Sequence, residues 1–271
     1  MTQILPFLLP LRVAQKKFCF YTKMFFDSNQ YARTKDSKPL QYCIFEAKTQ
    51  LINKNTGFDM QYQKNKVFNL EIASKPVNGI LMCPGETFSF WQLVRYAEKS
   101  ERYKEGLSLQ DGKLVTVPGG GLCHLSNFLF WLFLHAPLTM VERHPHKIKD
   151  FPSPDENEPD GVDATINEGW LDLKVKNNTA ITFQVLLNFE ETVLNGRIQA
   201  DYPGKTQFYV LNRNKIFYKK HGKVYEKVGI YRQKLDLETN KIFADEFLYT
   251  DEFEIGYVLP ADTIVSESKM N

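Results

Sequence analysis

The sequence of 271 residues predicts an α+β fold, with N-terminal helices and a central buried helix that starts at a Gly-Gly-Gly-Leu-Cys motif and packs on a mostly antiparallel sheet. Three observations lead to this prediction. Apolar residues recur at helical spacing early in the chain, a continuous apolar run follows the triple glycine, and short strand-like segments separated by turn residues fill the second half. An apolar fraction of 43% is enough for a folded core.

Two helices are predicted before the triple glycine. The first, Arg12–Phe26, is amphipathic and basic, with lysines between apolar residues that recur near helical spacing. We expect it to cover the core with its basic face in water, and a position on a membrane surface is the alternative. The second, Lys66–Ile80, should end near Asn78-Gly79, which is a typical C-cap. The central helix should run from about Leu122 to His135 and end before Pro137.

The remaining elements are strands, turns and one acidic loop. Strands are predicted at Gln41–Ala47, Thr87–Trp91, Leu114–Val117, Thr139–Glu142, Ala164–Ile166, Leu171–Val175 and Thr182–Leu187, and Gln207–Leu259 is strand-like. Residues 150–162 are rich in Pro, Asp and Glu and should form a surface loop. The predicted organisation is a basic N-terminal helical arm (1–60), a core domain (61–204) and a strand-rich C-terminal extension (205–271).

The charge is small overall and unevenly distributed. A net charge of +2 gives no reason to expect nucleic-acid binding. The first fifty residues are basic, whereas residues 150–172 carry eight acids and no Lys or Arg. Solvated surface is the main expectation for both regions, and contact with each other or with an outside partner is the alternative.

Cysteine usage and the N-terminus predict a cytoplasmic protein. The four cysteines are scattered without a CxxC pair, so no disulfide framework is expected. The apolar run Ile4–Leu11 is short and broken by two prolines, which makes it a poor signal peptide. No stretch approaches the ~20 apolar residues that span a bilayer. Peripheral contact with the inner membrane face through the basic helix remains a further expectation.

A triple glycine that leads directly into a cysteine is the most informative motif. Gly119, Gly120 and Gly121 precede Leu122-Cys123, and the apolar run Leu125–Leu134 follows. Glycine lets the backbone approach a ligand closely, and the first turn of a helix offers unpaired, partly positive N–H groups. A thiol at such a position is generally a better nucleophile or metal ligand.

The side chains that follow Cys123 point in different directions around the predicted helix. His124 lies about 100° around the helix from Cys123, so it is not the natural partner of the thiol, and it either lines a pocket or contacts backbone near the glycine loop. Ser126 and Asn127 follow at three and four residues and therefore share the face of Cys123.

A Glu-Arg-His-Pro-His segment at 142–146 supplies the second set of candidates. Its proline favours an extended conformation for the preceding residue, and in an extended chain alternate residues share a face. Glu142, His144 and His146 are therefore expected on one side of a strand beside the central helix. One imidazole could then reach Cys123, with Glu142 or Asp163 orienting the ring, which is the minimum set for acyl transfer.

Other interpretations of the same residues stay open. Cys123, His144 and His146 with a nearby acid are also a ligand set for Zn²⁺ or another divalent ion. Alternatively, the histidines satisfy backbone groups around a proline turn and the cysteine is a small buried residue. A groove formed by the glycine loop and the aromatic residues of 88–91, including Trp91, would suit a non-catalytic binding module.

Several uncommon motifs occur together in a fixed order. They are Pro84–Phe90, Gly119–Cys123, Leu125-Ser126, Glu142–His146, Asp163–Thr165 and Asp172–Thr179. In order and spacing they resemble the VanW family, over about Phe68–Leu187. The arm, with Pro6-Phe7-Leu8-Leu9-Pro10, resembles the short cytosolic members of that family rather than the membrane-anchored ones.

The resemblance implies a link to glycopeptide resistance and a role around peptidoglycan or its precursors. We expect either a cysteine-dependent enzyme without a cofactor that acts on a peptide-like cell-wall precursor, or an accessory module that binds such a ligand. In the enzyme, Cys123 would be the nucleophile, His146 or His144 the general base, and Glu142 or Asp163 its orienter. N–H groups after the glycines would receive the oxyanion.

The predicted substrate-binding residues are Gly119, Gly120, Gly121, His124, Ser126 and Trp91. One of them departs from the family pattern, because many members have Gln directly after the cysteine where this chain has His124. A histidine ring can still donate a hydrogen bond, so a helper role is compatible with the change.

Overall fold

The computed structural model describes residues 9–54, 57–110, 113–149 and 159–267, and it confirms the α+β class. Most of the predicted acidic loop, residues 150–158, lies outside the described residues. The helices are α1 (Leu9–Phe26), α2 (Met60–Ser74), α3 (Phe90–Val94) and α4 (Cys123–Leu134). The strands are β1 (Gln30–Tyr31), β2 (Tyr42–Gln50), β3 (Leu81–Met82), β4 (Glu86–Ser89), β5 (Glu105–Gln110), β6 (Lys113–Pro118), β7 (Thr139–Glu142), β8 (Ile148–Lys149), β9 (Lys174–Lys176), β10 (Phe183–Phe189), β11 (Val193–Ala200), β12 (Thr206–Lys220), β13 (Lys223–Asp236), β14 (Lys241–Ile255) and β15 (Val265–Glu267).

Within these ranges the strands form two four-stranded sheets, a five-stranded sheet and a hairpin. The first sheet has the order β1-β4-β9-β7 and the second the order β2-β11-β10-β3. The five-stranded sheet, β15-β12-β13-β14-β8, is built mainly from the C-terminal extension and takes one short strand from the core. Most neighbouring strands are antiparallel, as predicted, whereas β1–β4, β12–β15 and β14–β8 are parallel.

The central helix α4 is buried along most of its length. Its sequence CHLSNFLFWLFL is apolar around nearly the whole circumference, which is typical of a helix inside a core. It packs on β11 and β2, where Gly196 admits Phe128 and Leu132 so closely that a Cβ there would lie 2.6 Å from both side chains. Burial of such a side chain stabilises the fold by about 1.5–3 kcal/mol. The packing therefore fixes the first residue of α4, Cys123, relative to the second sheet.

Local caps explain two elements that differ from their predicted bounds. The strand predicted at Thr87–Trp91 stops at Ser89, because the Ser89 hydroxyl accepts a hydrogen bond from the Gln92 N–H at 3.1 Å and starts α3. The helix predicted at Lys66–Ile80 starts earlier, where the Asp59 side chain caps α2, and it ends before Pro76.

The predicted boundary between arm and core does not follow the sheet pairing. Strand β2, which the prediction assigns to the arm of residues 1–60, pairs with β11 along its length. Residues 42–50 therefore form an edge strand of the second sheet. The C-terminal extension is strand-rich as predicted, with turns at His221-Gly222 and around Asn240. It is not isolated, because Val228, Ile230 and Phe253 are buried in the common core.

Helix α1 is confirmed, and Phe20, Tyr21 and Met24 face the core as predicted, but two of its lysines contact the fold. The Lys17 ammonium pairs with Glu168, and the Lys16 ammonium lies 3.1 Å from the centre of the Trp170 ring. Two cations of the predicted solvent face thus point toward the fold, because the segment at 168–170 offers them a carboxylate and an aromatic ring. The large apolar residues that α1 exposes are Leu9, Leu11, Val13, Phe18, Phe25 and Phe26.

Candidate active site

A glycine loop places Cys123 at the start of α4. Gly119 and Gly121 have φ values of +78° and +92°, a region that favours glycine. Gly120 lies so close to Gly106 of β5 that a Cβ on it would be 2.1 Å from the Gly106 carbonyl oxygen. Backbone geometry therefore accounts for all three glycines of the motif.

The loop leaves two backbone donors beside the thiol. The N–H groups of Gly119 and Gly120 donate to backbone carbonyls at 3.1 and 3.0 Å. In the part of the chain that the structure describes, no acceptor receives the N–H of Gly121 or that of Cys123. N–H groups at a helix N-terminus carry partial positive charge and suit an anionic oxygen.

The segment at 163–166 runs along the face of α4 that carries Cys123. The Ser126 hydroxyl donates to the Ala164 carbonyl at 2.5 Å, and the Asn127 side-chain oxygen accepts from the Ala164 N–H at 2.8 Å. The Cys123 Sγ lies 3.8 Å from the Ile166 carbonyl oxygen. The strand predicted at Ala164–Ile166 is absent, because side chains of α4 take the backbone groups of Ala164 and border the Ile166 carbonyl.

Cys123, His146 and Asp163 meet at this face. The His146 Nδ1 lies 2.5 Å from the Asp163 Oδ2, and the His146 backbone N–H donates to the same oxygen at 2.7 Å. Burial lowers the pKa of His146, but hydrogen bonds to Asp163 and to Cys123 outweigh it and raise the pKa to about 10. With Nδ1 taken by Asp163, Nε2 is the ring nitrogen left for the thiol. The His146 side chain is 29% exposed, so solvent reaches it.

The pKa of Asp163 shifts in the opposite direction. Burial by itself raises the pKa of this carboxyl, but the His146 hydrogen bond and charge, followed by the Arg143 charge, lower it below its usual range. Nucleophile, base and carboxylate thus stand in the order that nucleophilic catalysis requires.

Arg143 holds Asp163 from the other side. Its guanidinium donates to the Asp163 Oδ1 at 2.7 Å and to the Asp163 carbonyl at 2.5 Å. It also forms a two-fold hydrogen-bonded pair with Asp251 of β14. The two side chains are only 7% and 3% exposed. The sequence alone assigned no role to either residue; Arg143 lies inside the motif, whereas no local pattern marks Asp251.

Glu142 and His144 form a second cluster. The His144 Nε2 lies 3.0 Å from a Glu142 oxygen, and the Lys174 ammonium lies 2.8 Å from the other. Burial raises the pKa of Glu142, but Lys174 and His144 outweigh it and lower the pKa. Glu142 and His144 do face each other, as predicted, but His146 does not join them. Strand β7 ends at Glu142, so its alternation of faces does not continue to 146.

Three side chains that were predicted to bind substrate instead make contacts within the protein. The Ser126 hydroxyl is bound to backbone carbonyls and fully buried. The Trp91 ring is 8% exposed and donates to the Leu171 carbonyl at 2.9 Å, and the other aromatic residues of 88–91 are also buried. These rings therefore belong to the core. His124 contacts the Thr49 hydroxyl at 3.0 Å, and burial followed by the Lys66 charge lowers its pKa to about 3.

Lys66 is a residue at the loop that the sequence analysis did not single out. Its stem packs on Gly121, where a Cβ would lie 2.3 Å from the Lys66 Cγ. Burial lowers the pKa of Lys66 to about 8, and no described acid forms a salt bridge with it. The feature of the sequence that could have identified Lys66 is its position in α2, three residues from the buried Gln63 and three from the buried Asn69.

The ligand set proposed for a metal is not assembled. Among the residues that the structure describes, no group of three or more His, Cys, Asp or Glu side chains is arranged to hold a metal ion. A separate groove of about 500 Å³ lies between the core and the C-terminal sheet; its lining includes Met140, Arg143 and Leu248 but neither Cys123 nor His146.

Comparisons with known proteins agree with the motifs. A family model described as VanW like protein matches residues 65–199. Over 268 residues the chain is 47% identical to the Vancomycin B-type resistance protein VanW of Enterococcus faecalis, with 99% of this chain and 98% of that protein covered. The chain belongs to the VanW family.

A second relative matches only part of the chain. It is the Uncharacterized protein YoaR of Bacillus subtilis, 30% identical over 129 residues, or 48% of this chain and 41% of that protein. No solved structure matches significantly. The VanW match at 65–199 contains Cys123, His146 and Asp163, whereas Asp251 lies beyond it. The resemblance predicted from the motifs is thus confirmed for the family.

Proposed function

We propose that this VanW-family protein is a cysteine-dependent enzyme that transfers or hydrolyses an acyl group of a peptide-like substrate. Cys123 is the nucleophile, His146 the general base and acid, and Asp163 the residue that orients His146. The observation that carries the proposal is the 2.5 Å contact of the His146 ring with Asp163, together with the interaction with Cys123 that helps to raise the pKa of the ring. A charged imidazole between a sulfur and a carboxylate is the arrangement that activates thiols in unrelated enzymes.

The proposed reaction has two halves. His146 holds the proton that the Cys123 thiol has given up, and the Cys123 sulfur attacks the carbonyl carbon of the substrate. The N–H groups of Gly121 and Cys123 donate to the oxyanion, a contribution of about 3 kcal/mol per donor. Collapse expels the amine, which takes the proton from His146, and leaves a thioester. Water or a second amine, deprotonated by His146, then attacks the thioester and restores the thiol.

We further propose that the substrate is a cell-wall precursor in the cytoplasm and that the reaction serves vancomycin resistance. Support comes from the name of the Enterococcus faecalis relative, which is 47% identical over nearly the full length of both chains. Every step uses side chains of this chain, so the proposed reaction requires no cofactor.

Alkylation by iodoacetamide, resolved by peptide mass spectrometry, tests the nucleophile. Burial and then nearby glutamates raise the pKa of Cys43 and of Cys83, which makes both thiols internal controls. Between about pH 8 and about pH 6 an ordinary thiol loses most of its thiolate. We expect the two controls to slow steeply over this range while Cys123 keeps most of its rate, and we expect His146→Gln to remove that difference.

Two results would count against the nucleophile. One is a Cys123 rate that falls about a hundredfold between about pH 8 and about pH 6, as for a free thiol. The other is no reaction of Cys123 in the folded protein.

A non-catalytic binding module is the second candidate function. The free N–H groups of Gly121 and Cys123 favour it, because they can bind an acyl oxygen or a carboxylate without chemistry. Cys123→Ser in a resistant host separates the two candidates. Lost resistance with normal protein levels supports the enzyme, and retained resistance supports the module.

A further inference from the structure

The outward face of α1 carries a row of large apolar side chains. Leu11, Phe18 and Phe25 are spaced by seven residues, which places them within about 40° of one another around the helix. They are 69%, 72% and 81% exposed. Phe26 is equally open, and its ring packs edge to face on Phe25 with the ring centres 5.2 Å apart. An exposed row of large apolar side chains of this kind marks a binding surface.

The same helix carries cations and no acids. Its sequence, LPLRVAQKKFCFYTKMFF, contains four Lys or Arg residues and neither Asp nor Glu. Arg12 and Lys23 are exposed and form no salt bridge with any residue that the structure describes. The helix thus presents apolar rings with unpaired positive charge beside them.

An exposed tryptophan contacts the same helix through Lys16. The Trp170 side chain is 58% exposed, and the Lys16 ammonium lies over its ring. Indole rings are favoured at the boundary between lipid and water, because one edge is polar and the body is apolar.

We infer that α1 is the surface by which this protein binds an anionic lipid bilayer, lying in the headgroup plane with Phe18 and Phe25 inserted. Aromatic residues on one face of a cationic helix are the features of interfacial helices. Each Lys or Arg near an anionic surface adds to the attraction. A second copy of the chain fits less well, because a symmetric contact along α1 would bring cations together without an acid on either helix.

Contacts on the inward face tie α1 to the rest of the fold. Glu168 accepts from the Lys17 ammonium and from the Tyr21 hydroxyl, the latter at 2.8 Å. Glu168 follows two residues after Ile166, whose carbonyl borders the Cys123 thiol. Docking of the helix therefore also docks the segment that borders the candidate active site.

Vesicle flotation with the full chain tests the inference. One set of vesicles contains phosphatidylcholine alone and the other contains equal parts of phosphatidylcholine and phosphatidylglycerol. We expect flotation with the anionic vesicles, at least about tenfold weaker binding to the neutral ones, and weaker binding at high salt. Phe18→Ser combined with Phe25→Ser should weaken binding at least about tenfold, because two inserted rings are lost.

A matched variant controls for the general loss of apolar surface. Phe243 and Ile264 are 59% and 88% exposed but lie in the C-terminal part of the chain, so their replacement by serine should leave flotation unchanged. Peptide-mapped alkylation of Cys123 in the Phe18/Phe25 variant checks that the fold is intact.

Three outcomes overturn the inference: no flotation with either vesicle set, equal flotation of the Phe18/Phe25 variant and the wild type, or equal loss in the control variant. A wild-type dimer in light scattering that this variant dissociates, together with no lipid binding, assigns the face to a second copy instead.

Discussion

Among single residues, Asp163 is held by two cations, with His146 on one carboxylate oxygen and Arg143 on the other. A carboxylate with both oxygens engaged can neither rotate nor take up a proton easily. It therefore fixes the position of the His146 ring and stabilises the charged form of that ring. The same two contacts would also be present if Asp163 formed only a structural ion pair. The pH dependence of stability therefore tests the charge of the His146 ring, whereas the reactivity of Cys123 tests the catalytic role.

Alkaline pH should weaken the fold through His146. The pKa of this ring is raised to about 10 in the folded protein, against about 6.5 for an unfolded chain. Its stabilisation is therefore complete below about pH 6.5 and is lost as the pH rises toward about 10. His146→Gln should flatten the alkaline decline of the free energy of unfolding in urea titrations.

His124 supplies the control for this pH prediction. Its pKa is lowered by burial and the Lys66 charge to about 3, so its protonation affects only the acid side. His124→Gln should keep the alkaline decline of the wild type. An unchanged decline in His146→Gln would show that the ring carries no such charge.

Among the elements, the decisive connection is the one from β6 through the glycine loop into α4. The loop keeps its shape because the Gly120 backbone packs directly against Gly106 of β5. Helix α4 is apolar enough to be held in place by packing alone. Among the described residues no side chain caps the start of α4, so backbone donors there find no acceptor within the described part of the chain.

Gly120→Ala should disrupt this connection. A Cβ 2.1 Å from the Gly106 oxygen forces the backbones apart, and we expect a loss of about 2–3 kcal/mol in the free energy of unfolding by denaturant titration. Gly222→Ala is the matched control, because Gly222 has a φ of +75° but open space around it. Its cost should be about 1 kcal/mol, from backbone strain alone. Equal losses in both variants would mean that the close approach is not what requires glycine at 120.

Across the whole molecule, the C-terminal sheet completes the support of the candidate site. Arg143 reaches from the core to Asp251 of β14, and the Tyr249 hydroxyl donates to the Gly161 carbonyl at 3.2 Å. Both contacts hold the segment that carries Asp163. The strand-rich extension of residues 205–271 thus contributes to the geometry around His146.

Asp251→Ala should destabilise the whole protein. It leaves the buried Arg143 guanidinium with one carboxylate fewer, and we expect a loss of about 3 kcal/mol in the free energy of unfolding. Asp245→Ala on the same strand is the control, because the Arg213–Asp245 pair is 38% and 40% exposed and should contribute less than about 1 kcal/mol. A loss for Asp251→Ala no larger than for Asp245→Ala would show that the extension and the site are independent.

Much of the fold was predictable from local patterns. The periodicity of α1, the apolar run of α4 and the turns between β12, β13 and β14 depend on neighbours in sequence, and the structure confirms them. The prediction also placed Cys123, His146 and Asp163 in one candidate set. It could not choose between Glu142 and Asp163 as the partner of the ring, because that choice depends on where β7 ends.

The sequence by itself determined the class of fold, the family and the identity of the reactive candidates, since these follow from periodicity and from motifs of fixed spacing. Only the tertiary structure decided which residues meet. It paired His146 with Asp163, turned Lys16 and Lys17 of α1 inward, buried Trp91 and brought Asp251 to Arg143. The reason is physical: contacts between segments distant in the chain are set by the packing of whole elements, which no local pattern encodes.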